Sequence, residues 1–333
     1  MNVATPQTKT ERRSWSNRVR DVLSVPEVGV LIPLLAVALI FYAINPVFLS
    51  PDNITTMLRA MSFVGVIAVG QTLLMISGAF DLSVGATAGL AGIICSYAMV
   101  KLQLPITVSV LAGLGVGALV GLVNSFSVLK LGVPAFIATL GMMYIAKGIT
   151  YLVSKGYTIY PLPAPVKTFG TAEPFNTSWS LVIFVLLAIV AHIVLSKTTF
   201  GRKLYAVGGN SEVARLAGIS PAKVQLTGFV IVGMAAALAG MLLMSRIVTG
   251  NPTVGLGWEM SVIAGVVIGG VSLFGGSGSI PGAVLGLLLM QVVTNGLVVV
   301  NVDPYWQTVS IGVIMIIAVA IDIWRRKSKT ASA

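Results

Sequence analysis

Residues Lys197–Gln225 read KTTFGRKLYAVGGNSEVARLAGISPAKVQ. This is the only long polar, basic segment between two apolar spans, and it carries Lys197, Arg202, Lys203, Arg215 and Lys223. Within it, Ser211–Ala217 is expected to form a short surface helix. Asn210 or Ser211 serves as N-cap, Glu212 sits in the first turn where the helix dipole favours an anion, and Gly218 stops the helix. A helix that short is marginal alone in water and needs something to dock against. The residues themselves leave two readings open: a plug for a soluble partner, or an ordinary connecting loop.

The rest of the chain fixes what surrounds that segment. It is 56% hydrophobic and only 9% charged, with a mean hydropathy of +0.97. A soluble domain carries roughly a quarter charged residues, so the chain is an all-α integral membrane protein. Its 333 residues accommodate about ten helices at about 20 residues each. That leaves one membrane domain and no room for a soluble catalytic one. The expected organisation is a basic N-terminal tail (1–27), a transmembrane domain (28–323) containing the 197–223 loop, and a basic C-terminal tail (324–333). Met1–Ser24 has no apolar core before Val28, so it reads as a cytoplasmic tail and not a cleavable signal peptide. Cys95 is the only cysteine and lies in an apolar span, which excludes an intrachain disulfide and a thiolate metal cluster.

The expected spans are Val28–Leu49, Met57–Phe80, Leu82–Val100, Pro105–Leu129, Val133–Val153, Trp179–Ser196, Val224–Val248, Trp258–Leu273, Ile280–Val300 and Pro304–Ile323. A sharp Gly/Asp break separates the second from the third. Only Phe274–Ser279 separates the eighth from the ninth, so broken or short helices are expected at both places. With the N-terminus inside, fifteen Lys and Arg residues fall inside and five outside, Lys147 lying within a span. This positive-inside bias explains the net charge of +11 without nucleic acid, and it places both termini and Glu212 in the cytoplasm. The outer segment Ser154–Ser178 is proline-rich and is expected to be an irregular, partly stiff surface.

Glycine recurs with a helical period. Gly85 and Gly89, Gly117 and Gly121, Gly265 and Gly269, and Gly282 and Gly286 form small-residue stripes that let membrane helices approach closely. The run Gly113, Gly115, Gly117, Gly121 lies inside an apolar span with no strand before it, so it is no dinucleotide loop. No G-x-x-x-x-G-K-[ST] occurs, so the chain shows no ATP site of its own, and no cofactor or metal is expected. An internal echo links Val66-Ile67-Ala68 and Gly85-Ala86 to Val262-Ile263-Ala264 and Gly282-Ala283, a pattern common in transporters whose broken helices flank the pathway.

Polar side chains at membrane depth are functional candidates. Asp81 either caps the third span or lines the pathway. Lys147 and Glu259, both expected near the outer ends of their spans, form an ion pair or leave Lys147 snorkelling, with Arg59 and Arg246 as competing partners for Glu259. His192, the only histidine, is expected to face a neighbouring helix as a hydrogen-bonding core residue. Gln71, Asn124, Gln291 and Asn295 suit an uncharged, hydroxylated substrate and equally suit helix–helix contact. The candidate pathway set is Gln71, Asp81, Ser83, Asn124, Gln291 and Asn295.

Three separated stretches resemble one family. Glu212, Ala214 and Gly218 reproduce the E-x-A-x-x-x-G spacing of the coupling loop of bacterial ABC-importer permeases. The surrounding words K-T-T-F-G-R and A-V-G-G-N-S-E-V-A-R-L-A-G-I resemble its ribose/arabinose/xylose branch. Asp81-Leu82-Ser83-Val84-Gly85 and the block from Gly255-Leu256-Gly257-Trp258-Glu259 to Gly275-Gly276-Ser277-Gly278 resemble the same permeases. Two departures matter. Met260-Ser261 replaces the usual Leu-Asp, and Lys147-Gly148 replaces Arg-Gly, which removes a planar bidentate donor. The resemblance implies a non-catalytic permease subunit that passes a monosaccharide across the bacterial inner membrane. Gly209, Asn210, Glu212, Ala214, Arg215, Gly218 and Ile219 would then dock a cytoplasmic ATP-binding subunit. The implied partners are that ATPase, a periplasmic or lipid-anchored sugar-binding protein, a second permease copy forming a homodimer, and membrane lipid. Ribose, arabinose, xylose and galactose are all compatible. The alternative is an ion-coupled secondary transporter of a small polar solute, which would need titratable groups along its pathway. An aquaporin-like pore is disfavoured, because Asn45-Pro46 and Asn251-Pro252 sit at span ends.

Overall fold

The computed structural model describes residues 26–174, 177–303 and 305–331. Among these are thirteen α-helices: α1 (Pro26–Ile44), α2 (Pro51–Ile76), α3 (Val84–Val100), α4 (Ile106–Leu129), α5 (Ala135–Ser154), α6 (Ala164–Thr171), α7 (Trp179–Lys197), α8 (Thr199–Gly209), α9 (Ser211–Leu216), α10 (Pro221–Ile247), α11 (Trp258–Ile268), α12 (Ile280–Val299) and α13 (Tyr305–Ala331). Six of them, α2, α4, α5, α7, α10 and α12, are long and apolar enough to cross a membrane, and Gly29–Ile44, Val84–Val100, Trp258–Ile268 and Tyr305–Ala320 are shorter apolar stretches. The chain is an all-α membrane protein. The expected N-terminal tail lies outside the described residues up to residue 25. The last helix runs on through Ala331, into the expected C-terminal tail.

Helix starts are set by local chemistry. Ser50, Ser178 and Ser279 accept the amides of Asn53, Leu181 and Gly282 through their hydroxyls, and Pro51 and Pro221 occupy first-turn positions whose N–H groups would be unpaired anyway. α10 is the central post, with α2, α3 and α4 packed along it. α2 is buried on all sides from Met61 to Ile76 except at Val64, as a helix apolar all round must be. By contrast α4, α5 and α7 turn residues such as Leu111, Leu119, Ile137, Leu152, Leu186 and Val190 outward, as suits lipid.

The expected glycine stripes are where backbones meet. A side chain on Gly117 would run into Gly233, and one on Gly233 into Gly117. Gly121 lies against Phe229, and Gly240 against Ala88. Gly265 and Gly269 face Gly286 and Gly282 in the same way, which joins α11 to α12.

Both expected breaks are present and end alike. At the close of α2, Gly78 N–H donates to Met75 O at 2.9 Å and Ala79 N–H to Leu74 O at 3.3 Å. At the close of α11, Gly270 N–H donates to Val267 O at 2.9 Å and Val271 N–H to Val266 O at 3.2 Å. Gly78 and Gly270 have φ of +87° and +86°. This is the Schellman termination, and its left-handed residue explains the glycine at each break. After the first break Asp81 turns inward. Its Oδ1 accepts Ser83 N–H at 2.7 Å and Ser83 Oγ–H at 2.6 Å, and its Oδ2 accepts Asn124 Nδ2–H at 2.9 Å.

Three expectations change. The outer segment 154–178 contains α6 and is pinned to the bundle: Gly170 abuts Ser245, Phe169 stacks on Trp179, and Ile159 and Gly250 exchange backbone hydrogen bonds. The basic stretch before α9 is itself a helix, α8. His192 is exposed and no core residue, because α7 turns one broad apolar face outward and His192 lies on it beside Ile189 and Ile193.

Two predictions follow from this packing. Gly117→Ala separates α4 from α10 and costs on the order of 1–3 kcal/mol, whereas Gly115→Ala, which meets nothing within 4 Å, leaves the melting temperature in detergent unchanged or slightly raised. Asp81→Asn is tolerated, because Asn124 Oδ1 has no partner and a turned Asn124 amide accepts the new N–H. Asp81→Leu strands three donors at about 1–3 kcal/mol each, so thermal unfolding separates the two variants.

Candidate coupling helix and polar interior

α8 and α9 form an L at one end of the bundle, here the near end. Thr198 starts α8. Its hydroxyl donates to Val194 O at 2.6 Å and accepts Gly201 N–H at 3.2 Å. Gly201 lets the turn close against Leu195. Gly201, Leu204 and Val207 are buried, while Arg202 and Lys203 are exposed. The three-residue spacing of the buried positions marks one helix face, and this was the signal available in the sequence for α8.

α9 is capped as expected by Asn210, whose Oδ1 accepts the amides of Glu212 and Val213, both at 3.0 Å. Its C-terminal end closes with Ile219 N–H on Ala214 O at 3.0 Å, and Gly218 takes φ +79°. Ala214 is the one buried residue of α9. Glu212 and Arg215 pair on the surface at 3.1 Å, while Val213 and Leu216 are 59% and 81% exposed. Gly209 is exposed beside the cap, and Ile219 is half-buried. All seven expected coupling residues therefore belong to one rim, with Ala214 and Ile219 turned toward the bundle and the others outward. That rim presents an apolar knob beside an ion pair.

The L is seated on both broken-helix loops. A side chain on Gly208 would strike the backbone of Ile76 and Gly276, and one on Gly275 would strike Gly78 and Gly208. Gly276 N–H donates to Ile76 O at 2.9 Å, Tyr205 OH to Gly278 O at 2.7 Å, and Gln225 Nε2–H to Ser77 O at 3.0 Å. Burial pushes the Tyr205 phenol above its ordinary pKa, so it remains a donor at physiological pH. Asp322 was not singled out in the sequence. Its Oδ2 accepts Ser272 Oγ–H and Leu273 N–H, each at 3.2 Å, so it braces the second loop from α13. Fifty residues of separation give a sequence no sign of that contact.

The six expected pathway residues do not form one cluster. Asp81, Ser83 and Asn124 meet near the first break, with Asn124 Nδ2 also donating to Ser83 Oγ at 3.0 Å. Asn295 lies far from them. It exchanges reciprocal amide bonds with Asn53, at 2.8 and 3.1 Å, at the opposite end of the 26-residue α2, about 35 Å along the helix from Ile76. Gln291 is half-buried one turn from Asn295. Gln71 is fully buried in α2, and both its amide atoms lack a protein partner, as do Thr87 Oγ1 and Asn124 Oδ1.

Lys147 and Glu259 are both half-buried, and the Lys147 charge acts on Glu259. They are nonetheless not within ion-pair distance, because the described ion pairs are Arg59–Glu173 and Glu212–Arg215. The Glu259 carboxylate lies instead over Gly85. Arg59, one of its expected competitors, is taken by Glu173 of the outer segment. The neighbouring Trp258 stacks on Phe63 with ring centroids 6.5 Å apart. Among the described residues no three His, Cys, Asp or Glu side chains converge in a way that could hold a metal.

A family model described as branched-chain amino acid transport system / permease component matches residues 53–319. The chain is 36% identical over 312 residues to the fructose import permease protein of Rhizobium meliloti, covering 91% of this chain and 86% of that protein. It is 33% identical over 326 residues to the ribose import permease protein of Bacillus subtilis (strain 168), covering 97% and 99%. It is 36% identical over 284 residues to the L-arabinose transport system permease protein of Escherichia coli (strain K12), covering 85% and 86%. No solved structure matches. A capped rim helix on an apolar bundle, a family model spanning most of the chain and relatives matched nearly end to end agree: the chain belongs to the permease subunits of bacterial ABC sugar importers, multi-pass proteins of the inner membrane.

Proposed function

We propose that this chain is the membrane-spanning permease of an importer that carries a monosaccharide of the pentose or hexose kind into the cytoplasm, energised by a separate ATPase docked on α9. One observation carries the reading. α9 is fixed at both ends by its caps and inward by Ala214, yet it presents Glu212, Val213, Arg215 and Leu216 to solvent. An exposed leucine beside a surface ion pair suits a socket on a soluble partner. The chain has no phosphate-binding loop of its own, which fits energy arriving through that partner.

Ten apolar helices would span the membrane, with both termini and α9 on the cytoplasmic side, the arrangement the basic residues favour. A sugar-binding protein would deliver substrate at the far end. A second copy would complete the pathway. Gly141 and Gly148, two turns apart on α5, have open space where a side chain would go, and outward small residues suit close approach of another membrane helix. The unpartnered amide of Gln71 and the carbonyl of Asn124 are enclosed by their helices and would meet sugar hydroxyls once those helices part. With Asp81 and Ser83 they are the proposed pathway contacts near the cytoplasmic end, and Gln291 belongs to the far end.

The test is copurification of the ATPase with the tagged chain from its host. Leu216→Arg changes only an exposed knob, so the permease folds and melts normally while ATPase recovery falls by about tenfold or more. Retention of the ATPase at the unaltered level would remove α9 as the dock. Uptake of labelled ribose, fructose and arabinose into vesicles, with ATP held constant and ion gradients collapsed, should persist, and its loss would favour ion coupling.

A further inference from the structure

Tyr205 and Gln225 lie outside every motif that marks the family resemblance at α9, yet each makes a side-chain bond from the coupling segment to one of the two broken-helix loops. Tyr205 belongs to α8 and reaches Gly278 in the loop between α11 and α12. Gln225 belongs to the first turns of α10 and reaches Ser77 at the break between α2 and α3. Between these two bonds the backbones of Gly78, Gly208, Gly275 and Gly276 are in contact, and Gly276 N–H closes the gap to Ile76 O. The two loops thus touch each other as well as the cytoplasmic L. A body packed at backbone distance cannot deform gradually, so it moves as a unit or comes apart.

We propose that Tyr205 and Gln225 are positioning residues that lock the α8–α9 body to both loops, so that displacement of α9 shifts the starts of α3 and α12 together. This rests on the reading of α9 as the ATPase dock. Tyr205 fastens α8 to the second break and Gln225 fastens the start of α10 to the first, while Gly276 N–H on Ile76 O ties the two breaks to each other. The same geometry explains glycine at Gly208, where even a methyl would push the L off Ile76 and Gly276.

Ser277 is exposed in the second loop, and Cys95 is buried, so Ser277→Cys supplies a single reactive thiol. The complex of this variant with its ATPase is reconstituted in liposomes. Its maleimide labelling rate is then compared with ADP and with a non-hydrolysable ATP analogue. The proposal expects a nucleotide-dependent change of several-fold. In the Tyr205→Phe, Gln225→Met double variant that change shrinks at least about fivefold, the scale of losing one such bond, while ATPase recovery and melting temperature stay at the control level. A nucleotide response that survives the double variant overturns the proposal, as does the absence of any response in the control complex. Loss of the ATPase from the double variant alone also overturns it, since the two residues would then serve docking. If no ATPase accompanies even the unaltered chain, the importer reading itself fails, and that outcome is distinct from the others.

Discussion

Backbone-to-backbone contact at glycine is the constraint on which this bundle depends. Lipid is as apolar as leucine, so burying leucine between two helices in a bilayer yields little. What remains is close packing. α10 reaches that packing against α4 through Gly117 and Gly233, against α3 through Gly240 and Ala88, and against α2 through Gly70 on Val232 and Gly228 on Leu74. The same device joins α11 to α12 and seats α8 on both breaks. A fold held this way is precise where glycine faces glycine and tolerant elsewhere, which is why Gly115 stands open while Gly117 does not.

The breaks are the counterpart of that rigidity. A helix end packed against other backbone must satisfy its last carbonyls without water. α2 and α11 both solve this with a left-handed glycine and two crossed amide bonds, and each loop is then braced by a carboxylate: Asp81 for the first, Asp322 for the second. The two acids arise differently. Asp81 is local and folds back on Ser83, whereas Asp322 arrives from α13. The echo seen in the sequence between residues 66–89 and 262–286 is therefore an echo of backbone termination, while the side chains that hold each loop differ.

The sequence revealed what the solvent dictates. Long apolar runs appear because hydrocarbon demands them, and α9 appears because a short helix in water needs Asn210 and Gly218 to exist. What it hid depends on pairing across distance. Asn53 and Asn295 look like two isolated amides until they face each other. Glu259 and Lys147 looked like partners by depth, but the Glu259 carboxylate settles over Gly85, and Arg59 goes to Glu173 in a segment that looked irregular. α8 escaped notice because its buried face needs only Gly201, Leu204 and Val207, too few apolar residues to stand out among basic ones. His192 misleads for a related reason. Periodicity says which residues share a face, but in a helix apolar all round it does not say which face is covered.

The two kinds of order meet at the near end. α9 is built by aqueous rules, with caps, a surface ion pair and a glycine stop. The loops beneath it are built for close packing, with glycine where the backbones touch. α8 belongs to both: its outer face is Arg202 and Lys203, and its inner face ends in Tyr205 and Gly208 against the loops. A connecting helix of eleven residues, amphipathic across its short axis, joins the water-built helix to the packed loops.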